Sequence, residues 1–313
     1  MLTKSLKLLR SSKQKLRRLI LSKRKPVLNS IKLYFYINVK RGPVTFEIRN
    51  ALGIGARLVW VLEILAFCDE NGIIPDFKFS YPDSLPEEDY FKKYFYIKNF
   101  TGKRGNLIRL ETIGDIGFKK GYNGKLNVEY ANSLIRKYLG VNPEVLEEVE
   151  SFRRKKLQYE NVLGIHYRAT DKVTEAPLVQ YESVFKNILF YLSKYPDTQA
   201  VFLSTDDKKF EQYLRSAFAS KPLVVREDYF RSENDTPIHY NKNLDKYRLN
   251  QDAVVNLLLL SKCQGLIKCS SMLSDLSVLF NPAINLVVLN SPYSKNLWFP
   301  AKDLLSRVSY SCI

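Results

Sequence analysis

The chain has 313 residues, 45% of them hydrophobic and 13% aromatic, with a formal net charge of +17. That is enough apolar material for one large domain or two modest ones. No run of 18 or more apolar residues occurs, so no membrane span is expected. The N-terminus lacks the continuous apolar core and small-residue cleavage site of a signal peptide, so none is expected. Cys68, Cys263, Cys269 and Cys312 lie on apolar segments or at the chain end, without a C-x-x-C pair. They read as thiols of a reducing compartment, and with only His166 and His239 to help, no metal site is expected.

Ten Lys or Arg residues and no acid fall in Met1–Pro26, leaving +7 for the remainder. Leu2, Leu6, Leu9, Leu16, Leu19 and Ile20 are spaced for one helix face, so this segment reads as a basic tail or an amphipathic helix. Such a helix would lie on an anionic membrane surface. Nucleic-acid binding is the lesser reading, since no RNA-binding aromatic signature or zinc finger accompanies the charge. Further on, Leu33–Lys40 alternates as a strand does, and Asn50–Gly72 reads as a glycine turn followed by a helix centred on Leu58–Phe67, with Gly72 as its stop. Pro75–Asn123 mixes aromatics, proline and charge without a clear period. Asn142–Lys156 has acids early and bases late, as a helix dipole favours.

Beyond Asn161 the pattern is regular. Short apolar runs at Asn161–His166, Ala200–Leu203, Leu223–Val225, Gly265–Ile267 and Ile284–Leu289 alternate with helical spacings at Tyr181–Leu192, Phe210–Phe218, Ala253–Leu260 and Leu273–Phe280. This alternation predicts an α/β fold with parallel strands and helices on both faces. The polar stretch Tyr229–Tyr247 interrupts it and is long enough to be functional. The chain divides into residues 1–26 (basic tail), 27–150 (N-terminal α/β domain) and 151–313 (C-terminal α/β domain), the boundary falling within Leu139–Asn161.

In parallel sheets ligands bind beyond the carboxyl ends of the strands. Three polar groups occupy such ends: His166–Ala176 (HYRATDKVTEA), Ser204–Asp207 (STDD) and Cys269–Ser274 (CSSMLS). Together they supply a guanidinium, an ammonium, carboxylates and hydroxyls, a set suited to a nucleotide sugar. Each has a plainer reading too. Arg168 could pair with Asp171, Asp206 and Asp207 could cap the next helix, Ser270 and Ser271 could be caps, and His166 could be a satisfied structural histidine. Gly53 and Gly55 form a lone G-x-G turn without the third glycine of a dinucleotide fingerprint or the G-K-[ST] of a P-loop.

The stretch GIHYRATDKVTEA resembles the donor motif of the α1,6-fucosyltransferases, whose relatives the protein O-fucosyltransferases and α1,2-fucosyltransferases keep a shorter H-x-R. STDD and KCSSMLS resemble the family's second and third motifs in the same order, and ALGIGARL resembles the G-x-G loop near the family's N-terminus. The resemblance implies two Rossmann-like domains facing a cleft, as in B-type glycosyltransferases. It implies GDP-fucose on the C-terminal half and an inverting transfer to a glycan hydroxyl without a metal or other cofactor. Arg168 would grip the β-phosphate. Lys172, Glu175 and Asp171 would lie near the reacting centre, Glu175 being the first candidate for proton acceptor. His166, Thr205, Asp206 and Asp207 would bind the donor. Ser270, Ser271 and Ser274 would meet the phosphates, and Gly53 and Gly55 the cleft. The second arginine of the motif is Ala169 here, and one residue fewer separates Lys172 from Glu175. The expected partners are a nucleotide-sugar donor and a glycan or lipid-linked acceptor, with no nucleic acid, in a cytoplasmic enzyme held at the inner membrane face by residues 1–26. The alternatives are a transferase using another nucleotide sugar, or a basic membrane-surface or nucleic-acid-binding module.

Overall fold

The computed structural model describes residues 26–34, 36, 42–85, 87–100, 102, 105–116, 122–168, 174–229, 231–232 and 245–308. Residues 26–34 form a helix, α1, not the start of a strand. The expected alternation over Leu33–Lys40 fails there because the buried positions are Asn29 and Leu33, one helical turn apart. Residues 37–40 lie outside the described residues. The first strand is β1 (Val44–Arg49), whose sequence VTFEIR points Val44, Phe46 and Ile48 into the apolar core and Thr45, Glu47 and Arg49 to the opposite face.

Helix α2 (Ile54–Glu70) starts directly after Gly53 and is buried over most of its surface. Gly72, at φ +62°, takes the left-handed turn that ends it. The segment without a clear period holds β2 (Pro75–Ser80), α3 (Tyr90–Tyr94), β3 (Phe95–Ile97), β4 (Asn106–Leu110), a 3₁₀ turn and α4 (Tyr122–Lys125). Next come α5 (Val128–Tyr138), β5 (Leu139–Val141) and α6 (Pro143–Lys156). Asn142 caps α6 by accepting from the Glu144 N–H at 2.9 Å, and four bases occupy its last turn, as the sequence predicts.

The second half runs β6 (Val162–Tyr167), α7 (Tyr181–Lys194), β7 (Ala200–Thr205), α8 (Lys208–Ala217), β8 (Leu223–Val225), α9 (Lys246–Ser261), β9 (Gly265–Lys268), α10 (Met272–Phe280), β10 (Asn285–Val288) and α11 (Ala301–Arg307). Every strand expected beyond Asn161 is present, and α9 is longer than its apolar run. Among the described residues the strands form a three-stranded parallel sheet in the order β2-β1-β4, a five-stranded parallel sheet in the order β10-β9-β6-β7-β8, and an antiparallel pair β3-β5. In the larger sheet the chain leaves β6 toward β7 and β8, then returns to the other side for β9 and β10. The order therefore reverses between β6 and β9, the topological switch point at which ligand sites form.

One apolar core includes Phe46 and Ile48 of β1, Leu65 of α2, Leu134 of α5, Leu259 of α9 and Leu279 of α10. A smaller cluster lies under α7 and α8. Polar ties reinforce the shared core: Asn132 donates to the Leu279 carbonyl at 2.8 Å, and Tyr94 donates to the Tyr247 carbonyl at 3.0 Å. Glu148, Asp228 and Asp252 come close enough to hold a metal ion. Two guanidinium groups fill that position instead. Arg226 Nη2 lies 2.7, 3.1 and 3.0 Å from the three carboxylates and Arg248 Nη2 within 3.4 Å of each. Cys68, Cys263 and Cys269 are free, buried thiols, and Cys312 lies outside the described residues.

Candidate active site

Strand β6 carries the first group. Its register sets His166 beside Ser204 of β7 and Lys268 of β9, so the residues following these three strands emerge on one rim. Arg168 is the first residue past β6, Asp206 the first past β7, and Cys269–Ser271 lead from β9 into α10. Arg168 Nε stands 3.6 Å from Asp206 Oδ2, with the arginine side chain 25% exposed and the aspartate 7%. The sequence-predicted guanidinium and the two-aspartate turn are therefore brought together at the switch point.

His166 is buried, and its Nδ1 has no hydrogen-bond partner among the described residues. Burial first, then the charges of Arg168 and Lys268, push its pKa down to about 3, so the ring is neutral throughout the physiological range. Lys268 forms a buried ion pair with Asp275 at 2.9 Å, which ties the first turn of α10 to the end of β9. Ser271 is the N-cap residue of α10, yet its side chain makes no capping bond. Ser270 N–H donates to Asn290 Oδ1 at 2.6 Å, Asn290 Nδ2 donates to the Pro177 carbonyl at 2.6 Å, and Tyr293 N–H donates to the Glu175 carbonyl at 2.8 Å. These bonds stitch the 174–177 and 290–293 segments to the same rim, and they place Glu175, whose side chain is exposed, beside it.

Two other residues expected at the donor also bond within the protein. Asp207 caps α8, with Oδ1 accepting from Lys209 N–H at 2.9 Å and Phe210 N–H at 3.1 Å, while Oδ2 accepts from the Tyr181 hydroxyl at 2.7 Å. Ser274 is fully buried and its hydroxyl donates to the Ser271 carbonyl at 3.1 Å. Both arrangements have one cause: a short polar side chain at a helix start is closest to the helix's own amides and carbonyls. Thr205 does similar work, its Oγ1 accepting from Asp207 N–H at 3.1 Å. Asp171 and Lys172 lie outside the described residues.

The glycine turn of the first half arrives at the same place. A Cβ on Gly55 would stand 3.3 Å from Met272 Cβ and 3.4 Å from Leu273 N, so α2 begins against the first turn of α10. Gly53 meets no described atom at its Cβ position, and no side chain caps α2 among the described residues. Two uncapped helix N-termini thus meet beside Arg168's strand end, and their free amides and dipoles favour an anion.

Sequence reasoning missed two contributors. Tyr229, after β8, has its hydroxyl pKa pushed up to about 12 by burial and by Asp206. Its segment is strapped to the rim by Ser232 N–H, which donates to the Asp206 carbonyl at 2.8 Å. Arg57 is buried in α2, donates to the Asn50 carbonyl, and lies 4.2 Å from the Tyr81 ring centroid, which fixes the Asn50–Gly53 turn. The only signal for Arg57 was its place just after the G-x-G turn. Tyr229 had only its position at the start of the long polar stretch.

No protein-family profile matches the chain, and no curated protein sequence does. Among solved structures, it is similar to the fucosyltransferase NodZ from Bradyrhizobium (TM-score 0.47, 12% identity, 77% of this chain and 94% of that one). It is also similar to a mutant of Arabidopsis thaliana FUT1 in complex with GDP (TM-score 0.47, 12% identity, 79% and 70%). A third is POFUT1 in complex with GDP (TM-score 0.44, 9% identity, 78% and 98%). These overlaps are loose and the identities low, so the chemistry rests on the chain's own residues.

Proposed function

We propose that the chain is an inverting glycosyltransferase that moves fucose from GDP-fucose to a glycan hydroxyl. The observation that carries this reading is Arg168 at the switch point, beside Asp206 and the uncapped start of α10. In the proposed reaction the acceptor oxygen attacks the anomeric carbon from the face opposite GDP. The bond from that carbon to the β-phosphate oxygen breaks, and the electron pair leaves with the diphosphate. Arg168 and the amides at the start of α10 neutralise the growing negative charge, so the reading requires no metal. His166, held neutral, sits behind them without adding a charge that would compete. Lys172 assists Arg168 at the diphosphate, and Glu175 is the first candidate to receive the acceptor proton, with Asp171 second. The smaller sheet would hold the acceptor across a cleft from the larger one.

The test is GDP release from GDP-fucose with candidate glycans, in the presence of EDTA. Arg168→Ala should lower the rate by about a hundredfold or more, with EDTA making no difference to the parent. Near-parental transfer by the variant would end the proposal, and a larger thermal shift with UDP than with GDP would move it to another sugar.

We place the acceptor at a membrane surface, on a lipid-linked glycan. Helix α1 buries Asn29 and Leu33 and exposes Val27, Leu28, Ile31 and Tyr34, each more than half exposed, on its other side. This apolar stripe follows directly on the ten bases of Met1–Pro26, the combination that binds anionic bilayers peripherally. No helix among the described residues is long and apolar enough to cross a membrane. Ile31→Asp with Tyr34→Asp should abolish co-sedimentation with vesicles containing phosphatidylglycerol. Unchanged sedimentation of this double variant would refute the role of the stripe.

A further inference from the structure

The face of the smaller sheet turned away from the core is polar, although much of it on β1 and β2 is hidden from solvent. Thr45, Glu47, Lys78 and Ser80 are all buried. The register sets Glu47 between Lys78 of β2 and Arg109 of β4. Glu47 Oε2 accepts from Arg109 Nε at 2.6 Å, Oε1 accepts from the Ser80 hydroxyl at 2.9 Å, and Lys78 Nζ stands 3.9 Å from Oε1. Burial alone would raise the Glu47 pKa, but these donors outweigh it and hold the carboxyl below its ordinary range. A sheet face is covered more cheaply by apolar side chains than by a buried ionic row, so the row calls for a use beyond stability.

That row lines a cavity of about 340 Å³, completed at the strand ends by Arg49 and Ser84. The volume falls within the roughly 300–1,000 Å³ of small-molecule sites. The sheet order β2-β1-β4 also reverses beside β1, so this sheet has its own switch point. Among the described residues, Arg49, Lys78 and Arg109 on the walls outnumber the two acids of this face, Glu47 on the lining and the buried Asp76, whose Oδ2 accepts from the Thr45 hydroxyl at 3.2 Å. The excess is positive and the donors are many. Arg109 is 48% exposed and marks the mouth.

We propose that this cavity is a second binding site, separate from the rim at β6 and β9, for a saccharide bearing an anionic group, either a carboxylate or a phosphate. The arginines take the anion and the Thr45, Glu47 and Ser80 row takes ring hydroxyls, with Glu47 as acceptor and the side-chain hydroxyls as either partner. The site does not depend on the donor being GDP-fucose.

Isothermal titration of the full chain with glucuronate, glucose 6-phosphate, glucose and inorganic phosphate tests it. Saturable binding of glucuronate or glucose 6-phosphate at least tenfold tighter than glucose and inorganic phosphate is expected, and which of the two binds tighter identifies the anion. Arg49→Gln should weaken it at least tenfold. Leu107→Trp, at an exposed position on the cavity wall, should block it while leaving the ionic row intact and GDP binding unchanged. Equal affinity for glucose and its charged relatives, inorganic phosphate binding as tightly as the sugars, or undiminished binding by a folded Leu107→Trp variant would overturn the proposal. GDP titration of the same samples separates this result from the fate of the donor site.

Discussion

His166 sits where β6 ends, with a ring that burial first, and then the charges of Arg168 and Lys268, keep from taking a proton. Its folded pKa, about 3, lies below its ordinary 6.5, so between those values the unfolded chain binds a proton that the folded chain refuses. The contribution to stability is therefore complete above about pH 6.5 and is lost as the pH falls toward 3, with a slope of up to about 1.4 kcal/mol per pH unit. Urea titrations of the parent and His166→Gln across this range should show a shallower acid slope in the variant. Parallel slopes would mean that the ring is solvated. In sequence the residue was legible as a strand-end histidine, but whether it was charged, bonded or neutral was not. That depends first on burial between the neighbouring strands, then on Arg168, and then on Lys268, distant in the chain and its neighbour only through the β6–β9 register.

At the level of elements, the regular βα alternation after Asn161 could be read because each buried parallel strand is a short apolar run between helical spacings. The first half was harder. Strand β2 opens with Pro75 and puts Asp76, Lys78 and Ser80 on its polar face, and β1 does the same with Thr45, Glu47 and Arg49. Ionic residues that are buried on a sheet face do not look buried in a sequence. The rim was legible in outline, since three polar strand ends are a local feature. Its division of labour was not, because whether Asp207 faces a ligand or the amides of α8 is decided by the start of that helix. Asp207→Ala should cost about 1–2 kcal/mol by removing the cap, seen as a lower urea midpoint. If nucleotide affinity falls more than stability does, Asp207 also reaches the donor.

Across the whole molecule, the two parallel sheets are not separately cored. Apolar side chains of β1, α2 and α5 continue without a break into α9 and α10, and Asn132 and Tyr94 bond across the same boundary. Calorimetry should accordingly give one cooperative transition with matching calorimetric and van 't Hoff enthalpies. Two resolved peaks would show that the halves melt independently. Continuity of this kind also limits what protein engineers can do with the chain. Severed after β5, either fragment would present greasy helix flanks to water, so a chimera that grafts a foreign N-terminal half onto this C-terminal half would have to redesign the whole α2–α5–α9–α10 seam as well as the linker.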